Sequence, residues 1–229
     1  MKYFTLILYI TIIMRSLSKR LILIRHGESI WNLNNKYTGW VDVPLTKLGE
    51  NQSKIAGYIM KENNIIPGIS YTSVQKRCLD TNDIILKEMN IHNKISTIKS
   101  WRLNERHYGK LTGHDRGDIK WKGDFFDTPP LVEEIDDINI SKQPDYYPEY
   151  GESYYMTYVR FLPLWNSICN DILNNKSPMI CSHKNTLKII TKHLECINNN
   201  EVQNIEIPNS VPIIYHFDNN MNMIDKIIL

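Results

Sequence analysis

The chain has 229 residues, 42% of them hydrophobic and 23% charged, which suits one α/β domain, or at most two small ones, with a full core. Lys and Arg number 27 against 25 Asp and Glu; the net charge of +2 excludes a nucleic-acid binder that works through a basic face, so any phosphate recognition must be local. Cys78, Cys169, Cys181 and Cys196 show no CxxC pair and no metal-ligand spacing. They predict reduced, mostly buried thiols of an intracellular protein, with neither a disulfide framework nor a metal site.

Residues 1–20 read as an apolar extension, almost wholly apolar over 3–14, with Lys2 before and Arg15, Lys19 and Arg20 after. That run is too short to span a bilayer, which takes about 20 residues. It fits the core of a secretory signal, yet no small-x-small cleavage site follows. Secretory or organellar targeting, an added strand or helix, and an upstream extension of the reading frame stay open. Membrane contact is expected only if the segment is retained, and the cytoplasm otherwise.

Residues 21–24 form a short apolar run, the mark of a strand buried on both faces. The run ends at Arg25-His26-Gly27-Glu28, a polar turn with the glycine a tight corner needs. Further strands are predicted over 69–72, 95–98, 179–181 and, as the last one, 212–217. Helices are predicted over 50–60, 78–89, 153–173 (kinked by Pro163) and 185–194. Between 101 and 150 the chain is rich in Pro, Asp and aromatics and reads as a long functional insertion. This alternation predicts a single α/β domain over 21–229, a three-layer fold whose mostly parallel sheet carries helices on both faces. Ligands in such sheets sit at the carboxyl ends of strands. Two of those ends carry histidine, His26 and His183.

Arg25 offers a rigid fork of donors for a phosphate. A neutral His26 imidazole can attack phosphorus and form a phosphohistidine. Glu28 and Ser29 open the next turn, where backbone N–H groups are expected to cradle the anion.

Longer strings follow: Arg25-His26-Gly27-Glu28-Ser29, Trp31-Asn32, Tyr37-Thr38-Gly39-Trp40, Pro44-Leu45-Thr46 with Gly49, and Lys76-Arg77. The most specific is Trp101-Arg102-Leu103-Asn104-Glu105-Arg106-His107-Tyr108-Gly109, and Gly151-Glu152-Ser153 and Ser182-His183 with Asn185 come later. Over about 21–218 the chain resembles the cofactor-dependent phosphoglycerate mutases of the histidine phosphatase superfamily.

The resemblance implies a mutase that interconverts 3-phosphoglycerate and 2-phosphoglycerate in glycolysis and gluconeogenesis. Its expected fold is that of those mutases, its state a homodimer, and its cofactor 2,3-bisphosphoglycerate as priming phosphoryl donor, without metal. His26 is the expected nucleophile, surrounded by Arg25, Arg77 and His183, which offset the phosphoryl charge. Glu105 is the expected acid/base, in a partly closed pocket with Trp101 and Tyr108 nearby. Ser29, Asn32, Thr38, Gly39, Arg77, Arg106, Tyr108 and Asn185 are expected to hold the phosphate and carboxylate of a small three-carbon acid.

Blander readings exist for some of these groups. Glu105 can pair with Arg102 or Arg106, and Arg77 with Asp80 or Asp83 on its own helix. His92, His107, His114, His193 and His216 match no family role. Tyr146, Tyr147, Tyr150, Tyr154, Tyr155 and Tyr158 read as packing, since a nucleic-acid platform would interleave Arg or Lys.

Three departures separate the chain from those mutases. Residues 110–126 are shorter than the family segment; Arg116 stands for an expected Lys, and Trp121-Lys122-Gly123 for Trp-Arg-Arg, which loses a bidentate guanidinium. Lys184 replaces a glycine beside the phosphate site, adding a contact or crowding the ligand, with crowding favoured. The sequence stops at Leu229 without the family's closing tail, so water is expected to compete for the phosphohistidine. Two alternatives follow: a phosphohistidine phosphatase on small esters, and a weak homologue that binds a phosphorylated ligand or a protein.

Overall fold

The structure is a computed structural model that describes residues 19–135, 138–141, 143 and 145–229. The apolar segment 1–18 lies outside the described residues. Six strands form one sheet: β1 (Lys19–Arg25), β2 (Ile69–Thr72), β3 (Ser96–Lys99), β4 (Pro178–Ser182), β5 (Ile213–Phe217) and β6 (Met223–Ile228). Lys19 and Arg20, expected in the extension, already belong to β1. The strand order is β3-β2-β4-β1-β5-β6, parallel from β3 through β1, with β5 antiparallel to β1 and β6 antiparallel to β5.

Successive side chains of β1 point to opposite faces, and both faces are covered. Ile22 and Ile24 pack with Ala56, Met60, Ile85 and Leu86 from α2 (Lys47–Glu62) and α3 (Lys76–Glu88). Leu21 and Leu23 pack with Phe161, Ile168, Leu187 and Ile190 from α4 (Tyr154–Leu173) and α5 (Lys184–Glu195). The expected three-layer fold is therefore the one observed.

Capping side chains set the helix starts. Thr46 accepts from the N–H of Gly49 at 3.0 Å and opens α2, and Ser153 accepts from that of Met156 at 3.1 Å and opens α4. α4 runs on through Pro163, which faces solvent, so water can reach the carbonyl that its missing N–H leaves free.

Three elements escaped the sequence reading, one of them a 3₁₀ stretch at Asn199–Asn204. A single turn, α1 (Ile30–Leu33), is held by a Ser29–Asn32 capping box, too short to leave a hydrophobic period. Residues 212–217 are not the last strand, because β6 follows; Asp225 and Lys226 interrupt its apolar pattern, and it lies exposed at the sheet edge. Residues 101–150 are mostly irregular, with short 3₁₀ turns at Trp101–Leu103 and Gly109–Leu111. The four cysteines are free; Cys78 and Cys181 are buried and Cys196 is exposed. Among the described residues no helix is long and apolar enough to cross a membrane.

Candidate active site

β1 and β4 pair in parallel with Arg25 opposite Ser182, so the histidines that follow the two strands become neighbours. Their rings stand 5.0 Å apart, centroid to centroid. Nδ1 of His26 lies 2.6 Å from the Gly27 carbonyl. A carbonyl only accepts, so Nδ1 carries the proton and Nε2 of the neutral ring keeps its lone pair. Burial, with the charges of Arg77 and Arg25, holds this imidazole well below the usual histidine range.

The turn after His26 is not an anion cradle. The N–H of Gly27 donates to Thr81 Oγ1, that of Glu28 to Gln52 Oε1 and that of Ser29 to Asn32 Oδ1. Ser29 is buried as the α1 cap and does not line the cavity. Gly27 is required by proximity, not by a left-handed φ: a Cβ there would meet the Gly49 carbonyl oxygen at 2.3 Å.

A cavity of about 580 Å³ opens in front of His26. Arg25 reaches it from the end of β1, steadied by a 3.0 Å bond to the Ile207 carbonyl, while its Nε is buried without a hydrogen-bond partner among the described residues. Arg77 enters from the first turn of α3 and donates to the Val41 and Gly39 carbonyls at 2.8 and 2.9 Å. Its alternative partners are engaged elsewhere: Asp80 pairs with Lys76, and Asp83 with Lys87. Gly39 thus orients Arg77 through its carbonyl and is not itself on the cavity wall.

Glu105 lines the cavity, almost fully buried. Its Oε1 accepts from the backbone N–H of Arg106 at 2.8 Å and of Asn185 at 3.2 Å, so it is not paired with the Arg102 or Arg106 guanidinium. Among the described residues Oε2 makes no hydrogen bond. Arg106 lies against the rings of Tyr154, Trp121 and Tyr108, at 4.1, 4.5 and 5.3 Å. Its Nε and Nη1 are buried with no hydrogen-bond acceptor among the described residues. Asn185 ties two of these aromatics together, donating to the Tyr108 hydroxyl at 2.7 Å and accepting from that of Tyr154 at 3.0 Å.

The remaining expected residues sort cleanly. Asn32, Thr38, Arg116, Lys122 and Lys184 all line the cavity. Arg116 lies over the Tyr37 ring at 4.8 Å. Lys184 has ordinary helical backbone at the start of α5, so no glycine is needed there, and its ammonium is 3.9 Å from Glu206. His183 is wholly buried, absent from the wall itself. Trp101 is not at the cavity either; it stacks on Tyr146 and lies against Trp40.

The structure adds Tyr37, Lys120, Trp121, Tyr154, Lys188, Gln203 and Glu206 to the wall. Tyr37 and Trp121 lie within strings already singled out, and Lys188 stands four residues after Lys184 and hence on the same helix face. Tyr154 was hidden in a run of tyrosines. Gln203 Nε2 donates to the Gly123 carbonyl and to Asp124, and the Gln203 carbonyl accepts from Lys188 Nζ at 2.6 Å, contacts between segments far apart in sequence. Burial and the charge of Lys184 bring the Lys188 ammonium down to about 8. Among the described residues eight Lys and Arg side chains and two carboxylates line this cavity, which gives it a strongly positive field.

Residues 21–228 match the model of the histidine phosphatase superfamily (branch 1). A 2,3-bisphosphoglycerate-dependent phosphoglycerate mutase of Neisseria meningitidis serogroup A is 36% identical over 227 residues, 91% of this chain and 99% of that protein. The enzyme of the same name from Erythrobacter litoralis is 38% identical over 88% of this chain and 94% of its own length. Among solved structures, a mycobacterial glucosyl-3-phosphoglycerate phosphatase in complex with VO3 superposes with a TM-score of 0.70 at 17% identity, over 92% of this chain and 97% of that one. YhfR of Bacillus stearothermophilus gives 0.67 at 21%, over 90% and 94%; at such identities the likeness is one of fold. A histidine at the end of β1, a second at the end of β4 and a match over nearly the whole described chain lead to one conclusion: the chain belongs to the histidine phosphatase superfamily.

Proposed function

We propose that the chain is a phosphoglycerate mutase that interconverts 3-phosphoglycerate and 2-phosphoglycerate through phosphorylated His26, primed by 2,3-bisphosphoglycerate. The observation that carries this reading is the pairing, in one cationic cavity, of a neutral His26 with its lone pair on Nε2 and a Glu105 carboxyl with one oxygen unbonded among the described residues. The names of the 36–38% identical relatives support it.

Nε2 of His26 attacks phosphorus, the N–P bond forms and the P–O ester bond breaks, while Glu105, entering this step as the protonated acid, gives its proton to the leaving oxygen and becomes the carboxylate. In the return step Glu105 takes the proton of the attacking hydroxyl, the O–P bond forms and N–P breaks. Arg25, Arg77 and His183 offset the charge on the phosphoryl oxygens. Arg106, Arg116, Lys122 and Lys184, with Asn32 and Thr38, hold the other end of the ligand, and Tyr108 and Asn185 fix the Arg106 cage. The cationic wall fits 2,3-bisphosphoglycerate, which supplies the first phosphoryl group. The resemblance extends the proposal to a homodimer.

Hydrolysis is the second reading. The observation that favours it is the exposed Lys122 where the mutases carry paired arginines, a weaker grip on substrate between half-reactions. An assay with 3-phosphoglycerate, with and without 2,3-bisphosphoglycerate, that follows 2-phosphoglycerate and free phosphate together separates the two. Isomer with little free phosphate supports the mutase; free phosphate without isomer replaces it by the phosphatase.

A further inference from the structure

His183 lies beside the nucleophile, yet what sets its proton is not a carboxylate or a carbonyl. Nε2 lies 2.9 Å from Ser73 Oγ and 3.2 Å from Cys78 Sγ, and all three groups are fully buried. Ser73 Oγ already accepts from the backbone N–H of Gln75 at 3.3 Å, so its own proton is free to be donated. The Cys78 thiol is a second, weaker donor to the same nitrogen. Nδ1, by contrast, is buried with no hydrogen-bond partner among the described residues.

We infer that Ser73 and Cys78 are positioning residues that hold His183 as its Nδ1–H tautomer, so that Nδ1 donates to the transferring phosphoryl group. The two histidines then share a tautomer and perform opposite tasks. His26 spends its Nδ1–H on Gly27 and presents a lone pair; His183 spends its Nε2 lone pair on Ser73 and Cys78 and presents an N–H. Burial and the charge of Arg77 keep the His183 ring neutral, which makes the choice of tautomer matter. The purpose assigned to that N–H rests on the phosphohistidine reading; the tautomer itself does not.

The test is ¹⁵N NMR of the histidine side chains in the full-length protein near neutral pH, with His183 assigned by its loss in His183→Gln. A pyrrole-like Nδ1 and a pyridine-like Nε2 are expected for His183, and the reverse pattern overturns the inference. In Ser73→Ala/Cys78→Val the Nε2–H form is expected to gain population, with phosphorylation of His26 by 2,3-bisphosphoglycerate about tenfold slower. Ser73→Thr and Cys78→Ser, which keep a donor at each position, are expected to restore the wild-type spectrum. An unchanged spectrum in the folded double variant overturns the assignment to these two residues, and should the double variant not fold, the wild-type spectrum decides alone. An Nδ1–H His183 in a protein that never phosphorylates His26 leaves the tautomer standing and defeats the functional reading instead.

Discussion

Arg160, in the middle of α4, donates from Nη2 to the carbonyl of Glu105 at 3.0 Å, across 55 positions of sequence. The same guanidinium bonds the carbonyls of Arg102 and Asn104 and forms a buried pair with Glu152, Nε to Oε1 2.6 Å. One side chain therefore fixes the backbone on which the proposed acid/base stands. Arg160→Met leaves Glu152 buried and unpaired and is expected to cost about 3–5 kcal/mol of stability. Arg160→Lys keeps the charge but not the fork; it is expected to fold and to lose kcat more than KM, as urea midpoints and steady-state kinetics of the two variants will tell.

Glu105→Gln keeps the size and the Oε1 contacts while removing the transferable proton. Turnover is expected to fall by about 10²–10⁴-fold, with the Kd for 3-phosphoglycerate within a few fold of wild type by calorimetry. Full activity in this variant moves the acid/base role elsewhere.

Stability is expected to fall in mild acid, and the sign follows from His107. Burial lowers this ring to about 4, against an ordinary value of 6.5. As pH falls through that window the unfolded chain binds the proton and the folded chain does not, so stability is lost by up to about 1.4 kcal/mol per pH unit, with no further loss from this group below about pH 4. His26 and His183, also lowered by burial, act with the same sign. His107→Asn, whose Oδ1 can still accept from the Gly109 N–H, is expected to give a shallower decline of urea midpoint between neutral pH and about pH 4.5.

Lys188 gives a signature on the alkaline side. Its ammonium, brought down to about 8, loses its charge above that pH and with it the attraction for an anion. KM for 3-phosphoglycerate is expected to rise by about tenfold or more between roughly pH 7 and 9.5. In Lys188→Met the rise is expected to be absent, with KM already high at pH 7; parallel pH profiles for the two proteins would refute the contact.

Most of the fold was readable because its signals are local. The 21–24 run and the alternation of strand and helix each lie within short windows. The chemical groups at the strand ends, His26, His183, Arg77 and Glu105, were readable from their strings. What escaped was set by distant partners. Ser29 looks like a phosphate ligand until its N–H is seen bound to Asn32, and Gly39 looks like one until its carbonyl is seen holding Arg77. Gln203 and Glu206 have no pattern of their own, and they reach the cavity through the placement of α5 and the loop near Gly123. β6 escaped because an exposed edge strand needs no clean alternation.

The nucleophile turn has one more property, concerning chain order. Arg25 is anchored on the carbonyl of Ile207, Asn209 donates to the carbonyl of His26 at 2.7 Å, and the N–H of Ser210 donates to the carbonyl of Arg25. The contacts that seat His26 come from residues some 180 positions further along the chain, so a chain that stops short of residue 210 lacks a complete turn at His26.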